Sequence, residues 1–186
     1  MKSSLWLAGL RGNYQNMNLR DEILKEHSKT QCNNVVQWVG DSQKRFDGLF
    51  NLFLNDEYRV TQRAAWPLSH CVIAHPEFIK KNFSRLIKNL YKPNLHNSIK
   101  RNTIRLLQHV AIPKKFQGEF MQICFSYLAS PTEAVAIKAF SLTVLGNLSK
   151  QYPEILPEIK LLIEEQWPYQ TAAFKSRAKK LNFQAP

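Results

Sequence analysis

The sequence has little of what punctuates β-structure. Six glycines in 186 residues are too few for a fold of many tight hairpins, whose primed turns draw on glycine. Cysteine is also scarce. Cys32, Cys71 and Cys124 are far apart and form no CxxC pair, which excludes a disulfide framework and reads as buried thiols of a reducing compartment. No apolar run approaches the roughly 18 residues that a membrane-spanning helix needs. The histidines His27, His70, His75, His96 and His109 fall into no HExxH or His-rich spacing, so no metal and no cofactor is expected. Glycine-rich phosphate loops, GxSxG elbows and cysteine-centred signatures are missing, and with them the common nucleotide-binding and hydrolase chemistries. His70 and Cys71 are adjacent, so on a helix their side chains diverge by about 100° and cannot pair as base and nucleophile. The last scarcity is acid. Between Phe78 and Gly118 there is no Asp or Glu, while Lys and Arg occur ten times.

What is present is an apolar fraction of 44%, enough for a real core at this length, and 26 Lys+Arg against 14 Asp+Glu, a formal +12. Residues 56–130 hold 12 basic and 4 acidic side chains, a net +8, and each flank adds only +2. Residues 1–18 lack helical periodicity and are rich in Asn, Gly and Ser. They imitate a secretory signal, but the apolar part is too short and no small-x-small cleavage site follows, so they are read as a disordered leader. The patterned sequence starts at Leu19, which makes Met17 an alternative start. A single domain is expected over 19–182, with 183–186 a tail, as a monomer in the cytoplasm. Asn82-Phe83-Ser84 and Asn147-Leu148-Ser149 fit the glycosylation sequon as chance matches.

A repeat runs through that domain. Pro93, Pro131 and Pro168 are 38 and 37 residues apart, and Arg63, Arg101, Lys138 and Lys175 are 38, 37 and 37 apart. Pro76, Pro113 and Pro153 fall between them. Proline ends one helix and is tolerated in the first turn of the next, so each unit is two helices with a proline at each joint. The spacing predicts pairs at 57–74 and 76–91, 97–111 and 113–129, and 132–150 and 154–166. A last helix over 170–182 caps the stack. Upstream, 30–39 and 42–54 form a degenerate unit after an initial helix at 19–27. The second helix of each pair carries one apolar stripe: Phe46, Phe50 and Phe53; Ile79, Phe83, Leu86 and Leu90; Phe116, Phe120, Ile123 and Tyr127. Such a stripe is core, and one pair cannot bury it alone, so the units must stack.

The segment Asp56-Glu57-Tyr58-Arg59-Val60-Thr61-Gln62-Arg63-Ala64-Ala65-Trp66-Pro67-Leu68 resembles the opening helix of a HEAT repeat: acid at the start, Val and Arg a few residues on, then small residues and Leu, with a proline in mid-helix. Later units keep Ile99-Lys100-Arg101 and Ile137-Lys138-Ala139 but lose the proline. The resemblance to HEAT and armadillo repeats covers about residues 30–182. It implies an all-α fold, a short right-handed α-α superhelix with first helices convex and second helices concave, and it implies no reaction.

On the second helix of the first full unit, Lys81, Arg85, Lys88 and Lys92 recur at i, i+4, i+7, i+11, opposite the apolar stripe. HEAT geometry would make that face concave. Lys44, Lys114 and Lys160 take comparable outward positions in other units, and Phe125 with Gly118 and Gln122 adds an apolar spot. These residues are read either as a merely solvated surface or, together, as a basic groove for an extended anionic partner, an acidic protein segment first and nucleic acid second. Arg59, Trp66 and His70 form a secondary candidate, an aromatic beside cations that would stack a base or hold a peptide, or else pack on the preceding repeat. The cations at 63, 101, 138 and 175 are read as structural. The chain also resembles, loosely, the HEAT-like DNA glycosylases of alkylated bases. Such an enzyme needs a carboxylate near the groove centre, and Glu164 beside Lys160 is the candidate. A non-enzymatic scaffold is the reading preferred.

Overall fold

The computed structural model describes residues 18–183. The leader expected over 1–18 therefore lies, but for Asn18, outside the described residues, as does the tail after Phe183. Among the described residues there are ten α-helices and no strand. They group into two compact units, one ending at Phe78 and the other beginning at Ile79.

The first unit holds α1 (Leu19–Lys25), α2 (Lys29–Val39), α3 (Gln43–Asn55) and α4 (Tyr58–Ala74). Asn18, Ser28 and Ser42 cap the first three, their side-chain oxygens accepting backbone N–H groups of the first turn. Gly40 ends α2 at φ +52°, a left-handed conformation that glycine adopts without a Cβ penalty. Phe46, Phe50 and Phe53 on α3 are completely buried, with neighbouring ring centroids 6.0 and 6.1 Å apart. The small pair Ala64 and Ala65 on α4 is buried where α3 and α4 pack. Pro67 lies inside α4 and is buried. It offers no N–H to the Arg63 carbonyl, and the neighbouring Trp66 carbonyl accepts from the Ser69 hydroxyl at 2.8 Å. Arg63 donates to the carbonyl of Leu24 at 2.8 Å, at the C-terminal end of α1 where a cation is favoured. Arg20 reaches Asp56 and Glu57 at 3.1 and 3.0 Å. These bonds tie α1 to the start and middle of α4.

The second unit holds α5 (Phe83–Leu90), α6 (Asn97–Leu107), α7 (Lys114–Ala129), α8 (Val135–Leu148), α9 (Leu156–Gln166) and α10 (Ala172–Lys179). The repeat phase is visible in what touches what. The first helices α6, α8 and α10 are neighbours, and so are the second helices α5, α7 and α9. Helix α8 packs against α6, α7, α9 and α10. Its buried residues, Ile137, Ala139, Leu142, Val144, Leu145 and Leu148, cover most of its circumference, as they must in a helix surrounded on several sides. Gly146 sits where α10's trailing residues come close: a Cβ there would meet Leu181 Cδ2 at 2.5 Å.

Lys138, one of the phased cations, is 4% exposed and donates to Gln166 Oε1 at 2.7 Å. Gln166 Nε2 in turn donates to the Leu128 carbonyl at 2.7 Å, so one polar chain joins α8, α9 and α7. Lys175 lies over the Trp167 ring at 5.2 Å. Arg101, in contrast, is exposed, and its neighbour Lys100 makes the ion pair, 2.8 Å to Glu133.

Several helix boundaries depart from the sequence reading. The single helix expected over 76–91 is a 3-10 turn at Pro76–Ile79, three turn residues, and then α5. The Asn82 carbonyl accepts the first α5 bond from Leu86 at 3.0 Å, and asparagine is a poor residue for a helix interior. The helix expected from 132 starts at Val135, because the Glu133 carboxylate turns back to Lys100 and to the Ala134 N–H. Helix α6 stops at Leu107 and α10 at Lys179, short of the expected 111 and 182.

Two predictions follow from this packing. All three cysteines are unpaired by disulfides and buried, and burial pushes the thiols of Cys71 and Cys124 up to about 12. A thiol-reactive dye should therefore leave the native protein unlabelled and modify it only in denaturant, read by mass spectrometry. Burial also lowers the ammonium pKa of Lys138, with Glu133 opposing. The unfolded chain then holds that proton longer, so the cost of the buried charge is fully present below the folded pKa and is relieved as pH climbs towards 10.5. Denaturant midpoints should show Lys138→Met within about 1 kcal/mol of wild type or above it near pH 7, with wild type gaining on the variant as the pH rises through that window.

Candidate functional site

The basic residues of the second unit sort by what their side chains do. On α5 the buried positions are Phe83, Leu86, Ile87, Asn89 and Leu90, leaving Ser84, Arg85 and Lys88 outward. Lys81 lies in the turn before α5 and Lys92 beyond its end, both exposed. The face therefore holds two cations on a helix and one at each flank, a shorter array than four on one continuous helix. Arg85 donates to Asn82 Oδ1 at 3.2 Å, which steadies its stem across the first turn.

Phe83 stacks on Phe116 with centroids 5.9 Å apart and meets Phe120 edge-on at 6.2 Å. That clamp sets the N-terminal ends of α5 and α7 side by side. Lys81 and Arg85 stand two residues either side of Phe83, and Lys114, the first residue of α7, and Lys115 directly precede Phe116. Neither helix has an acidic residue in its first turn, so the partial positive charge of each helix start, about +0.5, adds to the lysines. Further along α7, Gly118 and Gln122 are exposed and Phe125 is half-buried at the edge of the same face. A Cβ at Gly118 would meet nothing within 4 Å, so the face is open. Lys160 is exposed on α9, one residue beyond buried Ile159. Lys44 is exposed on α3 of the first unit.

Sequence reasoning missed the aromatic feature beside these cations. The C-terminal end of α5 and the second half of α7 enclose a cleft of about 220 Å³ lined by Leu90, Tyr91, Gln122, Ile123, Ser126 and Tyr127. Tyr91 is exposed, and Lys100 Nζ stands 5.4 Å over the Tyr127 ring. Burial drives the Tyr127 phenol pKa up, so it stays protonated. The signal was available: Tyr91 and Tyr127 are 36 residues apart, close to the repeat length.

The secondary cluster is engaged within the first unit. Trp66 Nε1 donates to His70 Nε2 at 3.0 Å, and its ring meets His27 edge-on at 5.9 Å. The crevice that Trp66 and Arg63 share with α1 and α2 holds only about 10 Å³, too little for a base or a side chain. Arg59 is exposed one turn away. Glu164 is exposed on α9 and lines none of the clefts described in this unit. No cluster of three His, Cys, Asp or Glu able to hold a metal ion occurs among the described residues, and no helix there is long and apolar enough to cross a membrane.

No curated protein and no solved structure matches the chain. The HEAT repeat domain family does, over residues 19–182, a span that takes in every α-helix described above. Helix pairs in phase at about 37 residues, with first helices against first helices and second against second, make a stacked repeat array in which each unit contacts its neighbours, and the chain belongs to the HEAT repeat family.

Proposed function

We propose that the protein is a non-enzymatic binding scaffold that uses the outward face of α5 and α7 to hold an extended acidic segment of a partner protein. The observation that carries the reading is the sorting of charge. Arg20, Arg63, Lys100 and Lys138 are bound to groups outside their own helices, in the same unit, whereas Lys81, Lys88 and Lys114 are exposed, with Arg85 between them, in a stretch without carboxylates. Cations that neutralised helix ends or neighbouring acids would need no such gathering. The Tyr91–Tyr127 cleft beside them offers an apolar anchor for a side chain of the bound segment, and a specific interface combines such an anchor with steering charge. HEAT arrays serve most often as protein scaffolds, which favours an acidic peptide over nucleic acid. Lys160 and Phe125 would extend the contact within the same unit.

Fluorescence anisotropy with a labelled Glu/Asp-rich peptide at low salt tests this. Changing Lys81, Arg85 and Lys88 together to Glu should weaken binding about 100-fold, from roughly 1 kcal/mol lost per reversed exposed charge, with an unchanged circular dichroism spectrum. Tyr91→Ala should weaken peptide binding without altering its salt dependence. An oligonucleotide that binds tighter than the peptide, with a steep salt slope, would put nucleic acid in the peptide's place. Release of alkylated bases from DNA would establish the glycosylase reading instead.

A further inference from the structure

Another cleft of the second unit lies at the C-terminal ends of α6, α8 and α10 and has a volume of about 480 Å³. Its floor is apolar: Leu142 and Leu181, brought together because Gly146 has no side chain to hold Leu181 away. Its cations are Lys150, Arg177 and Lys180, with His109 beside them, and no carboxylate lines it. Asn147, whose amide donates to the Gln108 carbonyl at 3.2 Å, fixes the end of α6 against α8 and supplies a polar wall. Arg177 is held in place by its own unit: Nε donates to Thr143 Oγ1 at 3.1 Å, Nη1 to the Ala173 carbonyl at 3.0 Å, and the guanidinium lies 5.3 Å over the Phe140 ring. A rigid cation at a cleft wall is the arrangement that recognises an anion with little ordering cost.

The competing explanation is that these cations only offset the three helix ends. Magnitudes decide between the two. Each C-terminus carries about −0.5 of an elementary charge, about −1.5 in all. Lys150, Arg177 and Lys180 bring +3, so about +1.5 is left over. A carboxylate would leave part of that surplus unmatched. A phosphomonoester carries about −1.5 to −2 at neutral pH and three acceptor oxygens, which matches both the charge and the donors. The volume lies within the range of about 300–1,000 Å³ typical of small-molecule sites, and the leucine floor suits the carbon body of such a molecule.

We infer that this cleft is a binding site for a small organic phosphate, separate from the α5–α7 face. Isothermal titration with glycerol 2-phosphate is the test, with glycerol and inorganic phosphate as references. Wild type should bind the phosphomonoester saturably, more tightly than inorganic phosphate, and glycerol should give no heat. Lys150→Glu with Lys180→Glu should weaken binding at least tenfold. The milder Lys150→Gln with Lys180→Gln should fall between and keep the helix content if reversal unsettles α10. The Lys81, Arg85 and Lys88 reversal should bind as wild type does, which separates this site from the proposed peptide face. No saturable heat, equal affinity in the Gln variant, or loss of binding in the α5 reversal would each overturn the inference.

Discussion

A helix pair of this chain buries one stripe and leaves the other side of each helix exposed, so no pair is stable until its neighbours close on it. The contact that does this in the second unit is the wrapping of α8 by α6, α7, α9 and α10. Around it are arranged Gly146, which lets Leu181 approach, Lys138 and Gln166, which link α8 through α9 to the Leu128 carbonyl of α7, and the 37-residue phase that returns a first helix to the same flank each time. The first unit meets the same constraint with three fully buried phenylalanines of α3 against the small residues of α4.

Stacking also sorts the positive charge. Where neighbouring helices cross, a long basic side chain can reach a carbonyl, an amide or a ring on the next element, and Arg63, Lys138, Lys175 and Arg177 do so. On the outer side of α5, Ser84, Arg85 and Lys88 are exposed, and the sequence there supplies no acid. Among the described residues the basic side chains thus fall into two populations, one that joins helices and one that is exposed.

Periodicity made the first population's scaffold legible. The proline phase located the joints from the end of α4 onward, and the Phe46 and Phe83 stripes are buried, as are Phe120 and Ile123, while Phe116 and Tyr127 are half-buried. The HEAT resemblance read from Asp56 to Leu68 matches the family to which the chain belongs. The break before α5 was less legible, because the apolar spacing of Ile79, Phe83 and Leu86 is the same whether the turn at 80–82 is helical or not; only the capping preference of Asn82 hinted at it. The clefts were not legible at all. They arise where residues far apart in sequence, such as His109 and Arg177, meet at helix ends, and no local pattern encodes that meeting. Tyr91 and Tyr127 lay within reach of the repeat phase, but an exposed tyrosine at a helix end carries no apolar periodicity to mark it.

The central claim is that lysines of one sequence stretch differ by role, and amine reactivity measures this directly. Brief acetylation of the native protein, quantified residue by residue by mass spectrometry, should modify Lys81, Lys88, Lys92 and Lys114 readily and spare Lys138 and Lys100, which are committed to Gln166 and Glu133. Equal labelling of Lys138 and Lys88 under native conditions would contradict the account.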